Sequence, residues 1–500
     1  MRNAIVLLAL AVWLGAPAAQ AADMSSTATL VRPAPGGSPW TVAEVAQLRS
    51  KLERLLAAPT LRGAQVGLVA IDTVRGNVLI SQNADQEFMP ASNFKLLVGS
   101  AALQRLGPAF TYATGVLSDA PVQNGTLAGN LYLRGGGDAH LTAKDLDSAA
   151  AALAAAGLRS VNGSVVTDAS HFDNQRLGDG WSWDDLAYYY APVVTALTLD
   201  DNVIHMYMSP GATIGSPVAL RVEPQSDAFT IDNRMTTGPK TSKDTSDIVR
   251  PWDAPRTIRL TGNYPLGAKE SGDLQPAVPD PESLAGDVFA RALAAHGITV
   301  TAATRAGKTP PGAGTLWTHA SEPMPALLAD FWYPSDNLMG ELFLKELGVA
   351  QKGEPGTDAS GIALEQAYLR SVGINRSTVT IADGSGLSQY DRITPGDFIK
   401  ILQADWVSPN RNIVIDALPV PGYRGTLKTA YLKTPAVGMV FAKTGSISHV
   451  RTISGYIRTK RHGPVTFSFM VNDWIGDGQP HGSADLAKLR ADLLSEFVIR

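Results

Sequence analysis

The sequence predicts an α+β fold in which the two ends of the chain build one domain and a long insertion interrupts it. Three observations carry this. An amphipathic helix and a hairpin open the ordered part of the chain. A three-strand meander and a last helix close it. The stretch between mixes helical periodicity with Gly-, Val- and Thr-rich strand-like runs.

Taken in order, residues 42–56 carry a helical apolar stripe opened by Thr41 with Glu44 three positions on, the spacing of a capping box. Strands over 65–71 and 77–81 form a hairpin turned at Arg75-Gly76. Pro90 and Ala91 lead into a second helix, whose stripe (Phe94, Leu96, Leu97, Ala101, Ala102, Leu103, Leu106) stops at Gly107-Pro108. The insertion contributes strand-like runs at 127–133, 164–168, 219–222 and 257–261 and helical patterns at 143–156 and 281–295. Apolar-periodic stretches at 325–332 and 338–347 flank a polar break. Strands at 439–446, 450–457 and 465–471 and a helix from Ala484 finish the chain. The five terminal strands form one antiparallel sheet, with the terminal helices on one face and the helix near Ser92 on the other. The expected division is 1–21 signal peptide, 22–107 with 300–500 catalytic domain, 108–190 with 245–299 inserted domain, and 191–244 a nested β-rich domain. Gly36-Gly37-Ser38 and Pro310-Pro311-Gly312 read as connectors.

Met1 to Ala21 has the form of a secretory signal: Arg2, an apolar run from Ala4 to Leu14, and Ala19-Gln20-Ala21 at the cleavage site. No later apolar run reaches the roughly 18 to 20 residues of a membrane span, so no integral membrane segment is expected after cleavage. The apolar positions from Leu486 to Ile499 read as a helix packed on the sheet. With 0 cysteines there is neither a disulfide framework nor a lipidated N-terminal cysteine. An exported chain of this kind suits a bacterial periplasm or cell exterior. A formal charge of −4 gives no reason to expect nucleic acid. The 8 histidines are scattered without metal-like pairs, so neither a metal nor another cofactor is expected.

Three short motifs carry the chemistry: Ser92-Asn93-Phe94-Lys95, Ser335-Asp336-Asn337 and Lys443-Thr444-Gly445. Ser92 and Lys95 share a helix face, and Ser92 falls in the first turn, where free N–H groups favour an oxyanion. No other serine here is followed by lysine at the third position. Taken alone, the pair is a helix cap and a solvated lysine. A lysine at its reference pKa of about 10.4 is no base at neutral pH. It needs a downward shift of about three units, about 4 kcal/mol, from burial and a neighbouring cation such as Lys443. Ser335 in the polar break can pass a proton to a leaving amine, and Asn337 can hold an amide and hydrogen-bond Lys95. Similar Ser-x-Asn runs at Ser81, Ser160 and Ser408 lie at a strand end or in ordinary turns. Lys443 and Thr444 at a strand edge can bind a carboxylate, Gly445 admits close backbone approach, and Ser446 N–H is a second oxyanion donor. A free edge also accepts an extended peptide as an added strand. No Gly-x-Ser-x-Gly elbow competes.

Together these motifs resemble the penicillin-binding D-alanyl-D-alanine carboxypeptidase/endopeptidase family, in its large low-molecular-mass branch with inserted domains. Further stretches resemble that branch: Gly137-Asp138, Gly163 to Asp168, Trp181-Ser182-Trp183-Asp184-Asp185, Asp383-Gly384-Ser385-Gly386-Leu387-Ser388 and Leu418 to Leu427. Ala139, where the family often has Pro, and Gln389-Tyr390-Asp391 depart from the pattern, which bears on fine substrate preference only. The resemblance implies a serine β-lactamase/DD-peptidase-like catalytic domain with a five-stranded antiparallel sheet.

It also implies roles. Ser92 is acylated by the penultimate D-alanine carbonyl of a peptidoglycan stem peptide, and Lys95 takes its proton. Ser335 and Asn337 serve the leaving group and amide, and Lys443 and Thr444 receive the terminal carboxylate. Backbone N–H groups of Ser92 and Ser446 form the oxyanion hole. Asp185 matches a position that recognises the free amino group of meso-diaminopimelate, with Leu387 and Ile447 lining that pocket. β-Lactam antibiotics acylate Ser92. From its own sequence context Asp185 is an ordinary solvated or capping acid.

Two other readings use the same framework. A β-lactamase needs a deacylating carboxylate on a Glu-x-x-Leu-Asn loop, or a tyrosine where Ser335 stands, and neither occurs. A non-enzymatic penicillin- or peptidoglycan-binding sensor is expected to lose part of the Ser92, Lys95, Ser335, Lys443 set, and all four are kept.

Overall fold

The computed structural model describes residues 30–476, 479 and 482–500, so the Met1–Ala21 signal lies outside the described residues. Helix α1 (Val42–Leu56) opens on Thr41, whose side chain accepts the Glu44 N–H while Glu44 reaches back, as the spacing predicts. Strands β1 (Gln65–Asp72) and β2 (Val78–Gln82) follow, then a tight 3₁₀ turn (Ala91–Phe94) leading into α2 (Lys95–Leu106).

The insertion begins with β3 (Ala113–Ser118), β4 (Leu131–Arg134), α3 (Ala143–Ala155) and β5 (Val165–Asp168). The strand expected over 127–133 is two short strands, Thr126–Leu127 and Leu131–Arg134, in different sheets. Residues 205–274 form three small sheets of short strands. Helix α4 (Pro281–Ala295) returns the chain to β6 (Arg305–Ala306) and β7 (Gly314–Ala320). These complete a five-stranded mixed sheet in the order β6-β5-β4-β3-β7. Pro310-Pro311-Gly312 connects two strands of this one sheet. Gly37, likewise, is packed: a Cβ there would lie 2.2 Å from the His462 carbonyl carbon, and Ser38 N–H donates to Arg461 O.

Five helices then pack together: α5 (Met324–Trp332), α6 (Asn337–Lys352), α7 (Asp358–Ser371), α8 (Pro395–Val407) and α9 (Arg411–Ala417). Strands β8 (Val440–Ile447), β9 (Val450–Ile457) and β10 (Val465–Asn472) and helix α10 (Gly482–Val498) end the chain.

The terminal sheet is the five-stranded antiparallel one the sequence predicts, in the order β2-β1-β10-β9-β8. Its strands alternate by residue. Leu68, Ala70, Val440, Ala442, Phe467 and Phe469 face α1 and α10 in one core, while Phe441, Tyr456 and Met470 join α2 and α5–α9 in the other. Lys443, two positions after Phe441, therefore projects towards the helical layer. Leu486, Leu489, Leu493, Leu494 and Phe497 bury the last helix on the sheet.

Candidate active site

Ser92 lies in the 3₁₀ turn ahead of α2, not in its first α-helical turn, and Ala91 before it has φ 47°. That turn sits against strand β8. The Thr452 hydroxyl donates to Pro90 O at 2.7 Å, and the Asn93 amide, turned to satisfy both partners, donates to Lys443 O at 2.6 Å and accepts from Ser454 N–H at 3.2 Å. A Cβ on Gly445 would lie 2.6 Å from Pro90 O and 2.9 Å from Asn93 N, so only glycine lets the strand come this close.

Lys95 is wholly buried. Its ammonium nitrogen lies 2.9 Å from Ser92 Oγ, 2.5 Å from Asn337 Oδ1 and 2.6 Å from Ser385 O. Three acceptors fill the three donor positions of the amine. Asn337 is the first residue of α6, and Asp336 caps that helix by accepting Met339 N–H at 2.7 Å. Ser335, at φ 69°, turns its hydroxyl to accept from Lys443 Nζ at 2.7 Å, and Lys443 also donates to Thr444 O at 2.8 Å. The structure thus brings Ser92, Lys95, Ser335, Asn337 and Lys443 together from three distant parts of the chain.

The electrostatics differ from expectation. Burial pulls the Lys95 amine down to about 8, while Asp383, Asp336, Glu341 and Asp391 push it back up. The repulsion between the two lysines falls on Lys443, which burial and Lys95 lower well below the ordinary lysine range. Among the described residues, the Lys443 amine has a hydroxyl and a carbonyl as its hydrogen-bond partners. Desolvation rather than a cationic neighbour therefore lowers the Lys95 amine.

Thr444 Oγ1 is within 2.9 Å of Thr426 Oγ1, and Ser446 is exposed on β8, an edge strand of the sheet. Asp185 lies in a 3₁₀ turn, half-buried, and accepts from Tyr190 Oη at 3.0 Å. Burial raises its carboxyl, opposed by the Tyr190 hydrogen bond. Asn337 Nδ2 donates to Tyr190 O at 2.6 Å, which ties the Asp185 segment to the centre. Leu387 and Ile447 are half-buried, at the loop after α7 and at the end of β8. Sequence reasoning missed Tyr190. Three consecutive tyrosines, Tyr188 to Tyr190, beside an acidic turn were the signal available.

The D-Ala-D-Ala carboxypeptidase 3 (S13) family profile matches residues 48–493. The chain belongs to this family. A D-alanyl-D-alanine carboxypeptidase of an Actinomadura species is 33% identical over 90% of this chain and 85% of its own length. D-alanyl-D-alanine carboxypeptidase DacB of Haemophilus influenzae is 26% identical over 82% of this chain and 86% of its own. The crystal structure of penicillin binding protein 4 from Haemophilus influenzae is similar with a TM-score of 0.81 at 25% identity, covering 90% of this chain and 99% of that one. The same protein complexed with a β-lactam gives 0.75 at 23% identity, covering 90% and 100%. Family and fold are those the sequence motifs imply.

Proposed function

We propose that this S13 serine D-Ala-D-Ala carboxypeptidase cleaves peptidoglycan stem peptides through an acyl-enzyme on Ser92. The 2.9 Å contact between buried Lys95 and the Ser92 hydroxyl carries this reading. Neutral Lys95 takes the hydroxyl proton as Oγ attacks the penultimate D-alanine carbonyl. The Ser92 and Ser446 N–H groups hold the oxyanion. Asn337 orients the Lys95 amine and the substrate amide. Ser335 protonates the departing amine and regains a proton from Lys443 along their 2.7 Å bond. Water then hydrolyses the ester: its proton passes through Ser335 to Lys443, and Lys95 returns its proton to the departing Ser92 oxygen, restoring the starting enzyme. Lys443 and Thr444 hold the terminal carboxylate, which compensates the charge that burial makes costly on Lys443.

The D-centre of diaminopimelate in a cross-link presents the same carboxylate beside the amine that must leave, so the site suits DD-endopeptidase cleavage too. Asp185, steadied by Tyr190, is assigned to the free amino group of meso-diaminopimelate, and Leu387 and Ile447 are assigned to the lining of that pocket. β-Lactams, as mimics of the D-Ala-D-Ala end, acylate Ser92. The site needs no metal or other cofactor in this scheme.

The substrate lies outside the cytoplasmic membrane, and residues 1–21 are assigned to export, placing the protein in the periplasm or cell envelope. No helix among the described residues is long and apolar enough to cross a membrane. The catalytic domain is assigned to 22–107 and 300–500, with inserted domains at 108–190 with 245–299 and at 191–244. Pairing of β6 and β7 with the inserted sheet supports moving the second catalytic boundary to 321, and the small sheets over 205–274 support extending the nested domain.

Release of D-alanine from a diaminopimelate pentapeptide tests the proposal. Wild type should release it and Ser92→Ala should not. Turnover surviving in Ser92→Ala would overturn the assignment.

A further inference from the structure

The third partner of Lys95, the Ser385 carbonyl, belongs to a loop whose chemical role the motifs leave open. One fully buried carboxylate organises that loop. Asp383 Oδ1 accepts the N–H groups of Ser385 (3.1 Å) and Gly386 (2.7 Å). Its Oδ2 accepts Ser388 N–H (2.8 Å), the Ser385 hydroxyl (2.9 Å) and the Trp181 indole N–H (2.8 Å). An aspartate that merely closes a turn takes one or two donors from its own backbone. Here there are five, and one comes from a residue 202 positions away.

The loop is wedged on both sides. Gly384 N–H donates to Glu341 on α6, and a Cβ at Gly384 would lie 2.2 Å from Gly340 O. A Cβ at Gly386, at φ 76°, would lie 2.1 Å from Ala91 O, beside Ser92. The Ser385 carbonyl therefore cannot shift without moving α6 or the Ser92 turn. Trp181, in turn, leads directly into the Asp184-Asp185 turn.

We propose that Asp383 is a positioning residue, fixing the Lys95 amine through the Ser385 carbonyl and the Asp185 segment through Trp181. This rests on reading Ser92 and Lys95 as nucleophile and base. The ionisable groups around Lys95 are Asp336 and Glu341 at α6, Asp383 and Asp391 on the loop, and Lys443 on β8. Burial raises the Asp336, Glu341 and Asp391 carboxyls. Asp383 accepts five hydrogen bonds, the pattern of an acceptor-only carboxylate. Its negative charge and its geometry act on the same amine.

The test is the rate of acylation by a fluorescent penicillin as a function of pH. Asp383→Asn keeps the shape but turns an NH2 group towards the Trp181 and Ser388 N–H donors. Acylation should fall about 100-fold, and the acid limb of the profile should move down by about one pH unit as the charge is lost. A melting temperature that drops while the limb stays put would reduce Asp383 to a structural residue and overturn the proposal. Ser385→Ala keeps the charge and removes one strut. It should lower acylation about tenfold with the limb unmoved, and wild-type rates from it would overturn the proposal even if Asp383→Asn does not fold. Trp181→Phe should raise KM for a diaminopimelate pentapeptide more than it lowers kcat, and the reverse split would overturn the link to Asp185. A wild-type protein that takes no label at all would sink the Ser92 reading instead.

Discussion

Gly445→Ala is the substitution whose effect the structure specifies most tightly. The added methyl would lie 2.3 Å from Thr452 Oγ1, 2.6 Å from Pro90 O and 2.9 Å from Asn93 N, where ordinary contact begins at 3.4 Å. The Thr452 hydroxyl can rotate away, at the loss of its bond to Pro90 O. The Pro90 carbonyl and the Asn93 amide cannot rotate, because they are the backbone of the turn that carries Ser92. That turn must retreat by about 0.8 Å, which separates the proposed nucleophile from the strand assigned the second oxyanion donor. A displacement of this order costs about 100-fold in rate, equivalent to about 2.7 kcal/mol of barrier. Overpacking should also lower stability by about 1–3 kcal/mol. Stopped-flow acylation by a fluorescent penicillin, read beside a thermal melt, separates the two effects. A variant that acylates at the wild-type rate would refute the claim that the Ser92 turn is held in place by contact with β8.

Three further outcomes are expected. With the Lys95 amine held at about 8 by burial, the unprotonated base is lost as pH falls, so acylation should drop about tenfold per pH unit below 8 and level above it. A limb centred near 10 would show an unperturbed lysine. Asp185→Ala should weaken turnover of diaminopimelate peptides while sparing β-lactam labelling, and Tyr190→Phe should do the same more mildly, by about fivefold, through removing one hydrogen bond worth about 1 kcal/mol. Equal loss of labelling and turnover would refute a specificity role. Asp405, buried beside Ser100, has its carboxyl pushed up to about 7. The folded state therefore binds this proton more tightly than the unfolded one, and the stability it contributes is complete below about pH 4 and lost as pH rises through 7. Asp405→Asn should match wild type in melts at pH 4 and exceed it at pH 8, by up to about 4 kcal/mol; no gain at pH 8 would contradict the burial argument.

Much of this was legible because it is local. The capping box at Thr41 and Glu44, the strands at 450–457 and 465–471, and the Ser92–Lys95 spacing each encode their geometry within a few residues. What was not legible depends on contacts between distant segments. Nothing near Lys95 in sequence announces that four acids from two other segments surround its amine, or that the lysine repulsion would fall on Lys443. The break at Ala128 to Asn130, which sends Thr126–Leu127 to another sheet, is likewise settled by strand partners rather than by propensity. Tyr190 meets Asn337 through its backbone carbonyl, a group every residue has, so the run of tyrosines beside the acidic turn hinted only at its hydroxyl contact with Asp185.

The most direct test of the account is the mass of the Ser92 peptide after incubation of the protein with penicillin. A lasting adduct of the intact penicilloyl group on Ser92, absent in Ser92→Ala, is the predicted result. A stable adduct on another residue, or none because the drug is turned over rapidly, would contradict it.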